Sequence, residues 1–357
     1  MKEHFKALTG LRAVAAIMVF LYHNRKYWRG WLPNFIIQNL NEFHVGVTLF
    51  FVLSGFLIAY TYQDNPCKSR KEYAKYLLVR LIRIFPVYLI ILTISYYDNG
   101  FPPTNIAVYN FTLLKGFSDK YNLESLPQSW SLTVELTFYL FAPLIYFFLK
   151  RHFNQAIAFL LALLSISLLV GYGWYYANGN PERWFYNWLF IFDCSFFGRC
   201  FEFFSGMLLA HLLLNNQSIN KLLFSKHYTL LSALFILITI YSISLFEVDT
   251  FDQGTQHIGG LILRNLLLPV FFSTLIYGLI KEDTFFKKIL STKVAILMGN
   301  ASYLFYLVHI GYVNRKIYNY QWLGDRNFIF LWLISIAGYL IIEKPLYHYL
   351  KRWIQRM

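Results

Sequence analysis

Residues 8–23 read LTGLRAVAAIMVFLYH. The run is largely apolar, but it carries an arginine at position 12 and ends on a histidine at position 23. A bilayer is spanned by roughly 20 apolar residues in a helix, so this run is a short candidate span. Nine further apolar runs follow, at about 45–62, 84–98, 130–149, 155–176, 195–214, 228–246, 258–280, 294–313 and 327–349. The chain therefore reads as all-α, a polytopic membrane helix bundle of about ten transmembrane helices. Residues 1–357 are expected to form a single integral membrane domain with no appended soluble domain. Lys2 and Lys6 ahead of an apolar run imitate a signal peptide. Arg12 inside the run and the lack of a small-residue cleavage site favour a retained first span.

Composition agrees with this reading. Hydrophobic residues make up 57% of the chain and charged residues 14%, against about 25% charged in a soluble domain. Aromatic residues reach 20%, and Tyr and Trp favour the two membrane interfaces. The net charge of +14 does not signal a nucleic-acid partner, because the basic residues sit in short clusters between apolar runs. There they orient the spans. With the N-terminus inside, inner segments hold 20 of the 32 Lys and Arg, and outer loops hold 9. Three more, Arg12, Arg199 and Arg264, fall within spans. The bias places both termini in the cytoplasm. Cys67, Cys194 and Cys200 show no metal-ligand spacing, so no metal is expected, and their odd number argues against a disulfide framework. A Cys194–Cys200 pair stays open.

The longest outer loop runs from about 99 to 129, with Pro102, Pro103 and Pro127 and no clear helical period. The outer segment 174–192 is rich in rings, among them Trp174, Tyr175, Tyr176, Trp184, Phe185, Tyr186 and Trp188. It reads either as an interfacial aromatic belt or as a surface on which sugars stack.

Ionisable groups inside a bilayer are costly and mark function by default. Arg12 and His23 are eleven residues apart, or three helical turns plus about 20°. They share a helix face and are separated by about 16 Å along the axis, with Arg12 near the inner surface and His23 near the outer one. The alternative is a snorkelling arginine and an interfacial histidine. Glu135, in SWSLTVELTFYLFAPL (129–144), lies about five residues below the outer boundary, at a depth like that of His23. A carboxylate can orient an imidazole for general-base work, or it can form a structural ion pair with an arginine such as Arg264. Arg80 and Arg83 in RLIRIFP are i and i+3, at the inner start of the third span. They suit either a phosphate clamp or plain topology. Arg199 and Glu202, also i and i+3, are expected to neutralise each other. Ser54 and Gly55 in HVGVTLFFVLSGFLI permit close helix packing. His309, toward the outer end of the ninth span, either joins the outer polar cluster or is structural.

These motifs together resemble the acyltransferase family 3 membrane proteins, which include bacterial O-antigen and exopolysaccharide O-acetyltransferases. The resemblance covers nearly the whole chain. It rests on Arg12-X10-His23, GVTLFFVLSGFLI, Arg80-X2-Arg83, SWSLTVELTFYLFAPL, RCFEFFSGMLLA and ASYLFYLVH, in that order. It implies a ten-helix fold, a cytoplasmic acyl-CoA donor used as co-substrate with no cofactor retained, and an acceptor hydroxyl on the far side. It implies His23 as the catalytic residue supported by Arg12, Arg80 and Arg83 near the donor phosphates, and Glu135 as the acidic partner. Ser54, Trp130, Arg199, Glu202 and His309, all within or beside the matching motifs, are secondary candidates. The family often carries Asp where this chain has Thr48.

The expected activity is O-acylation, foremost O-acetylation from acetyl-CoA, of a cell-surface polysaccharide, lipopolysaccharide or lipid-linked glycan at a bacterial inner membrane. The expected partners are acyl-CoA, the glycan and the lipid bilayer, and a homo-oligomer stays open. Two other readings compete. One is a proton-coupled secondary transporter, against which no Gly/Pro-broken helices recur in two related halves. The other is an acyl-translocating subunit serving a separate transferase. Some family members carry a fused esterase domain, so this chain is expected to act alone or with a separate partner.

Overall fold

A computed structural model describes residues 5–28, 30–62, 69–215, 227–247, 253–319 and 327–356. Cys67, and Lys2, Arg29, Lys68, Lys221, Lys226 and Arg326 of the charge balance, lie outside the described residues.

The described chain is all-α and carries no strand. The first half contains α1 (Lys6–Asn24), α2 (Asn34–Asn41), α3 (Gly46–Tyr62), α4 (Arg70–Asn99), α5 (Thr104–Thr112), α6 (Trp130–Arg151) and α7 (Phe153–Asn178). Next come α8 (Trp188–Cys194), α9 (Phe196–Leu214), α10 (Tyr228–Ser244), α11 (Ile258–Ile262), α12 (Leu268–Lys281) and α13 (Phe285–Leu290). The chain closes with α14 (Lys293–Val308), α15 (Tyr312–Asn319), α16 (Asn327–Gly338) and α17 (Lys344–Arg356). π-helical turns, Leu263–Leu267 and Tyr339–Glu343, join α11 to α12 and α16 to α17. Among the described residues, 8 helical segments are long and apolar enough to cross a bilayer, and Tyr228–Ser244 and Lys293–Val308 are shorter apolar helices. The ten apolar runs of the sequence thus all become helices, and the protein is an integral, multi-pass membrane protein.

Three boundaries differ from expectation. The third span starts at Arg70 rather than near 84, because Ser69 caps it by accepting the Glu72 N–H at 3.1 Å. This Ser-X-X-Glu box satisfies a free helix-end donor, so Arg80 and Arg83 sit about three turns inside the helix instead of at its start. The ninth span stops at Val308, and Gly311 turns the chain with φ 85°. His309 therefore follows that helix. The loop 99–129 is not aperiodic. It holds α5, which starts after Pro103, and 3-10 turns at Leu114–Phe117 and Pro127–Ser129. Cys194 and Cys200 form no disulfide with each other.

The chain divides into two compact units, one of residues 1–64, 144–160 and 198–300, the other of residues 65–143, 161–197 and 301–357. In the first, α1 packs on α3 and α13, and α10 packs on α12. Backbones approach closely where side chains vanish. A Cβ on Gly55 would stand 2.0 Å from the Phe203 carbonyl oxygen, and one on Gly206 would stand 2.0 Å from that of Val52. Helices α3 and α9 thus meet through reciprocal glycines, the small-residue contact expected of Ser54–Gly55. In the second unit α17 packs along α4, and the Tyr303 hydroxyl donates to the Ile84 carbonyl at 2.7 Å.

Candidate active site

In the first unit, Arg12 and His23 both lie on the unbroken helix α1, and both are half-buried. At the C-terminal end of α1 the Tyr22 ring contacts His23 edge-on at 4.6 Å and approaches His44 at 5.5 Å. The Arg25 guanidinium stands 4.3 Å over the Tyr22 ring, and its Nη1 donates to the Tyr22 carbonyl at 2.6 Å. Arg25 Nε donates to Asn41, and Asn41 Nδ2 donates to Glu247 at 3.2 Å. Glu42, fully buried, accepts the Gly254 N–H at 2.7 Å, while its other oxygen lies 3.7 Å from His44 Nδ1. No spacing rule in the sequence links the residues of this network. Its only trace in the sequence is the polar run Asn41-Glu42-Phe43-His44 just before GVTLFFVLSG.

Deeper in the same unit, Arg199 and Glu202 pair at 3.0 Å, 1% and 0% exposed, as their spacing predicted. Thr48 completes the pair. Its hydroxyl accepts from Arg199 Nη2 at 3.0 Å and donates to Glu202 at 3.3 Å. Burying an ion pair is tolerated only with such extra hydrogen bonds. Arg264 donates from Nε to Asn265 at 2.8 Å and lies within electrostatic reach of Glu202 and Glu42.

The second unit gathers Arg80, Arg83 and Glu135 around Tyr139. Its hydroxyl donates to Glu135, one helical turn away on α6. All three charged groups lie within electrostatic reach of Tyr139. The Arg80 guanidinium stands 5.7 Å from the Tyr139 ring and 5.9 Å from that of Tyr76. Positions 80 and 83 on α4, and 135 and 139 on α6, thus bring two cations, a carboxylate and a phenol to one place. Tyr303 and Glu343 join them, since Tyr303 lies within electrostatic reach of both Glu343 and Glu135. Neither residue type nor spacing singles out these two in the sequence. A cavity of about 230 Å³ opens beside this cluster, lined by Arg80 and Tyr139 together with apolar groups such as Leu77, Leu81, Phe85 and Leu136.

Trp130 is the first residue of α6 and is half-buried. Ser54, also half-buried, sits beside the Gly55 contact on α3. His309 is buried, and its Nδ1 donates to the Tyr306 carbonyl at 2.7 Å, which fixes its tautomer. The Tyr306 hydroxyl reaches the Gln128 carbonyl at 3.0 Å and the Ser131 hydroxyl at 2.8 Å, so this segment ties α14 to the start of α6. In the aromatic segment 174–192, Trp184 donates to the Tyr109 hydroxyl at 3.3 Å, while Trp174, Tyr175 and Tyr176 stay exposed.

The sequence model of an acyltransferase domain matches residues 5–343, and the chain belongs to this acyltransferase family. It is similar to the O-acetyltransferase OatA of Staphylococcus aureus (strain NCTC 8325 / PS 47), 25% identical over 382 residues that cover 96% of this chain and 57% of the relative. It is also similar to the putative O-acetyltransferase SACOL0978 of Staphylococcus aureus (strain COL), 24% identical over 379 residues with the same coverage. The chain therefore spans a little over half the length of these relatives. No solved structure matches it.

Proposed function

We propose that this protein is a membrane O-acetyltransferase that moves an acetyl group from cytoplasmic acetyl-CoA to a hydroxyl of a cell-surface polysaccharide or lipid-linked glycan. The observation that carries the reading is the convergence of Arg80, Arg83 and Glu135 on Tyr139 in a chain matched from 5 to 343 by an acyltransferase family. The names of its relatives supply the acetyl group. The host membrane on this reading is a bacterial cytoplasmic membrane, with both termini inside.

Each residue has a role in the proposal. Arg80 and Arg83 hold donor phosphate through charge-assisted hydrogen bonds. The neighbouring cavity, about 230 Å³, is smaller than the roughly 300 Å³ of the least drug-sized pocket. It suits a fragment such as the thioester end of the donor. His23 takes the proton of the acceptor hydroxyl while that oxygen attacks the thioester carbonyl, and the CoA thiolate leaves and is reprotonated. In the variant with an intermediate, the imidazole nitrogen attacks first and expels the CoA thiolate, and the hydroxyl then takes the acyl group from the imidazole, which leaves as the base that receives the hydroxyl proton. Arg12 supports His23 on the same helix, and Glu135 is the acidic group of the reaction.

The test is reconstitution of the purified chain in liposomes with acetyl-CoA and glycan. Release of CoA thiol, with a gain of one acetyl group on the glycan, supports the proposal. Acetylation that persists in His23→Ala sinks the mechanism. Ion-coupled flux without CoA release would favour the transporter, and CoA release without glycan acetylation would favour the translocating subunit.

A further inference from the structure

Helix α16, the π turn and α17 form one continuous helical segment, Asn327–Arg356, of 30 residues. At 1.5 Å per residue it is about 45 Å long, against a hydrocarbon thickness of about 30 Å. The charge-free part, 327–342, covers about 24 Å of that length, so the excess of about 15 Å falls in the charged turns toward the end of α17.

What those turns display is ordered. Lys344, His348, Arg352 and Arg356 recur every four residues and are all exposed, so they form one row along the helix. Tyr349 and Trp353, 69% and 55% exposed, form the adjacent row. Lys351 flanks the rows with its ammonium 5.6 Å from the Tyr347 ring. No acidic residue occurs from Lys344 to Arg356. The opposite face is occupied, since Ile354 is 2% exposed and α17 packs on α4.

We propose that this exposed face of α17 is a docking surface for the anionic phospholipid headgroups of the leaflet into which it emerges. The four fixed cations, Lys344, Lys351, Arg352 and Arg356, complement lipid phosphate. Tyr349 and Trp353 have the amphipathic rings that settle at headgroup level. A row of cations alone would suit any polyanion. The rings beside it, at the end of a membrane span, select a lipid surface.

The experiment compares the unfolding temperature of the full-length protein in nanodiscs of phosphatidylcholine alone and in nanodiscs with about a third phosphatidylglycerol. The anionic lipid is expected to raise the unfolding temperature by several degrees. The triple variant Lys344→Gln, Arg352→Gln, Arg356→Gln is expected to lose more than half of that rise while unfolding normally in phosphatidylcholine. Arg352→Lys with Arg356→Lys is expected to keep the rise. If the triple variant does not fold, the wild-type protein decides, because high salt should erase the rise. A rise that survives the triple substitution or high salt overturns the proposal. So does an equal rise produced in detergent by inorganic phosphate, which would make the face a site for free phosphate.

Discussion

The Thr48 hydroxyl donates to Glu202 at 3.3 Å and at the same time takes a hydrogen bond from the Arg199 that pairs with that carboxylate. A neutral side chain thus completes a buried ion pair. Thr48→Val keeps the volume and removes the bridge. It is expected to destabilise the protein by about 1–3 kcal/mol, the cost of leaving buried polar groups unmatched. Thermal unfolding in detergent checks this, and an unchanged midpoint would contradict it.

Removing one member of the same pair should be worse. Glu202→Leu or Arg199→Met is expected to cost about 3–5 kcal/mol, because an uncompensated charge stays buried. The double variant Arg199→Met, Glu202→Leu should be markedly closer to wild type than the sum of the singles. A double-mutant cycle on unfolding midpoints measures the difference.

The glycine contact between α3 and α9 makes a steric prediction. Gly55→Ala places a Cβ 2.0 Å from the Phe203 carbonyl oxygen, and backbone cannot swing aside as a side chain can. The expected cost is about 1–3 kcal/mol, with reduced yield of folded protein. The Gly206→Ala variant should behave alike, and size-exclusion profiles with melting curves would show it.

Lys115 links pH to stability. It is buried in the 3-10 turn after α5, and its Nζ donates to the carbonyls of Glu124 and, at 2.9 Å, Leu126. Burial pushes its pKa down to about 7 from 10.5. The two hydrogens of a neutral amine match the two carbonyls. Between about pH 7 and 10.5 the unfolded chain binds the proton and the folded one does not, so stability rises with pH across that window. Below it, both forms are protonated and the contribution is flat. Hydrogen exchange of the 115–126 segment, corrected for intrinsic rates, should slow relative to expectation from pH 7 to 9. Lys115→Met should abolish that dependence and lower protection overall.

Arg80 tests the donor assignment. Losing a hydrogen bond to a charged group costs about 1.5–3 kcal/mol, so Arg80→Gln is expected to raise KM for acetyl-CoA by about 10- to 100-fold with a smaller change in kcat. Steady-state kinetics in proteoliposomes check this. An effect on kcat alone would move Arg80 from donor binding to the chemical step.

The order and place of the helices were decided by local properties: apolar run length, charge between runs and the eleven-residue spacing that puts Arg12 and His23 on one face. These are properties of neighbouring residues and need no fold. The start of α4 was also local, written in Ser69-X-X-Glu72, but the apolar run hid it. Other features belong to tertiary structure alone. Thr48 meets Arg199 and Glu202 across more than 150 residues of chain. Glu135 and Tyr139 are one turn apart and meet by helical period, but no local pattern brings Arg80 and Arg83 of α4 to them. Lys115 looks from the sequence like an ordinary loop cation, and only the folding of 113–126 around it removes its water. Hydropathy and helical period are set by covalent neighbours. Burial and hydrogen-bond partners are set by which distant segments pack together, and that is how Thr48 joined its ion pair in the first unit, and how Tyr303 and Glu343 joined the cluster of the second.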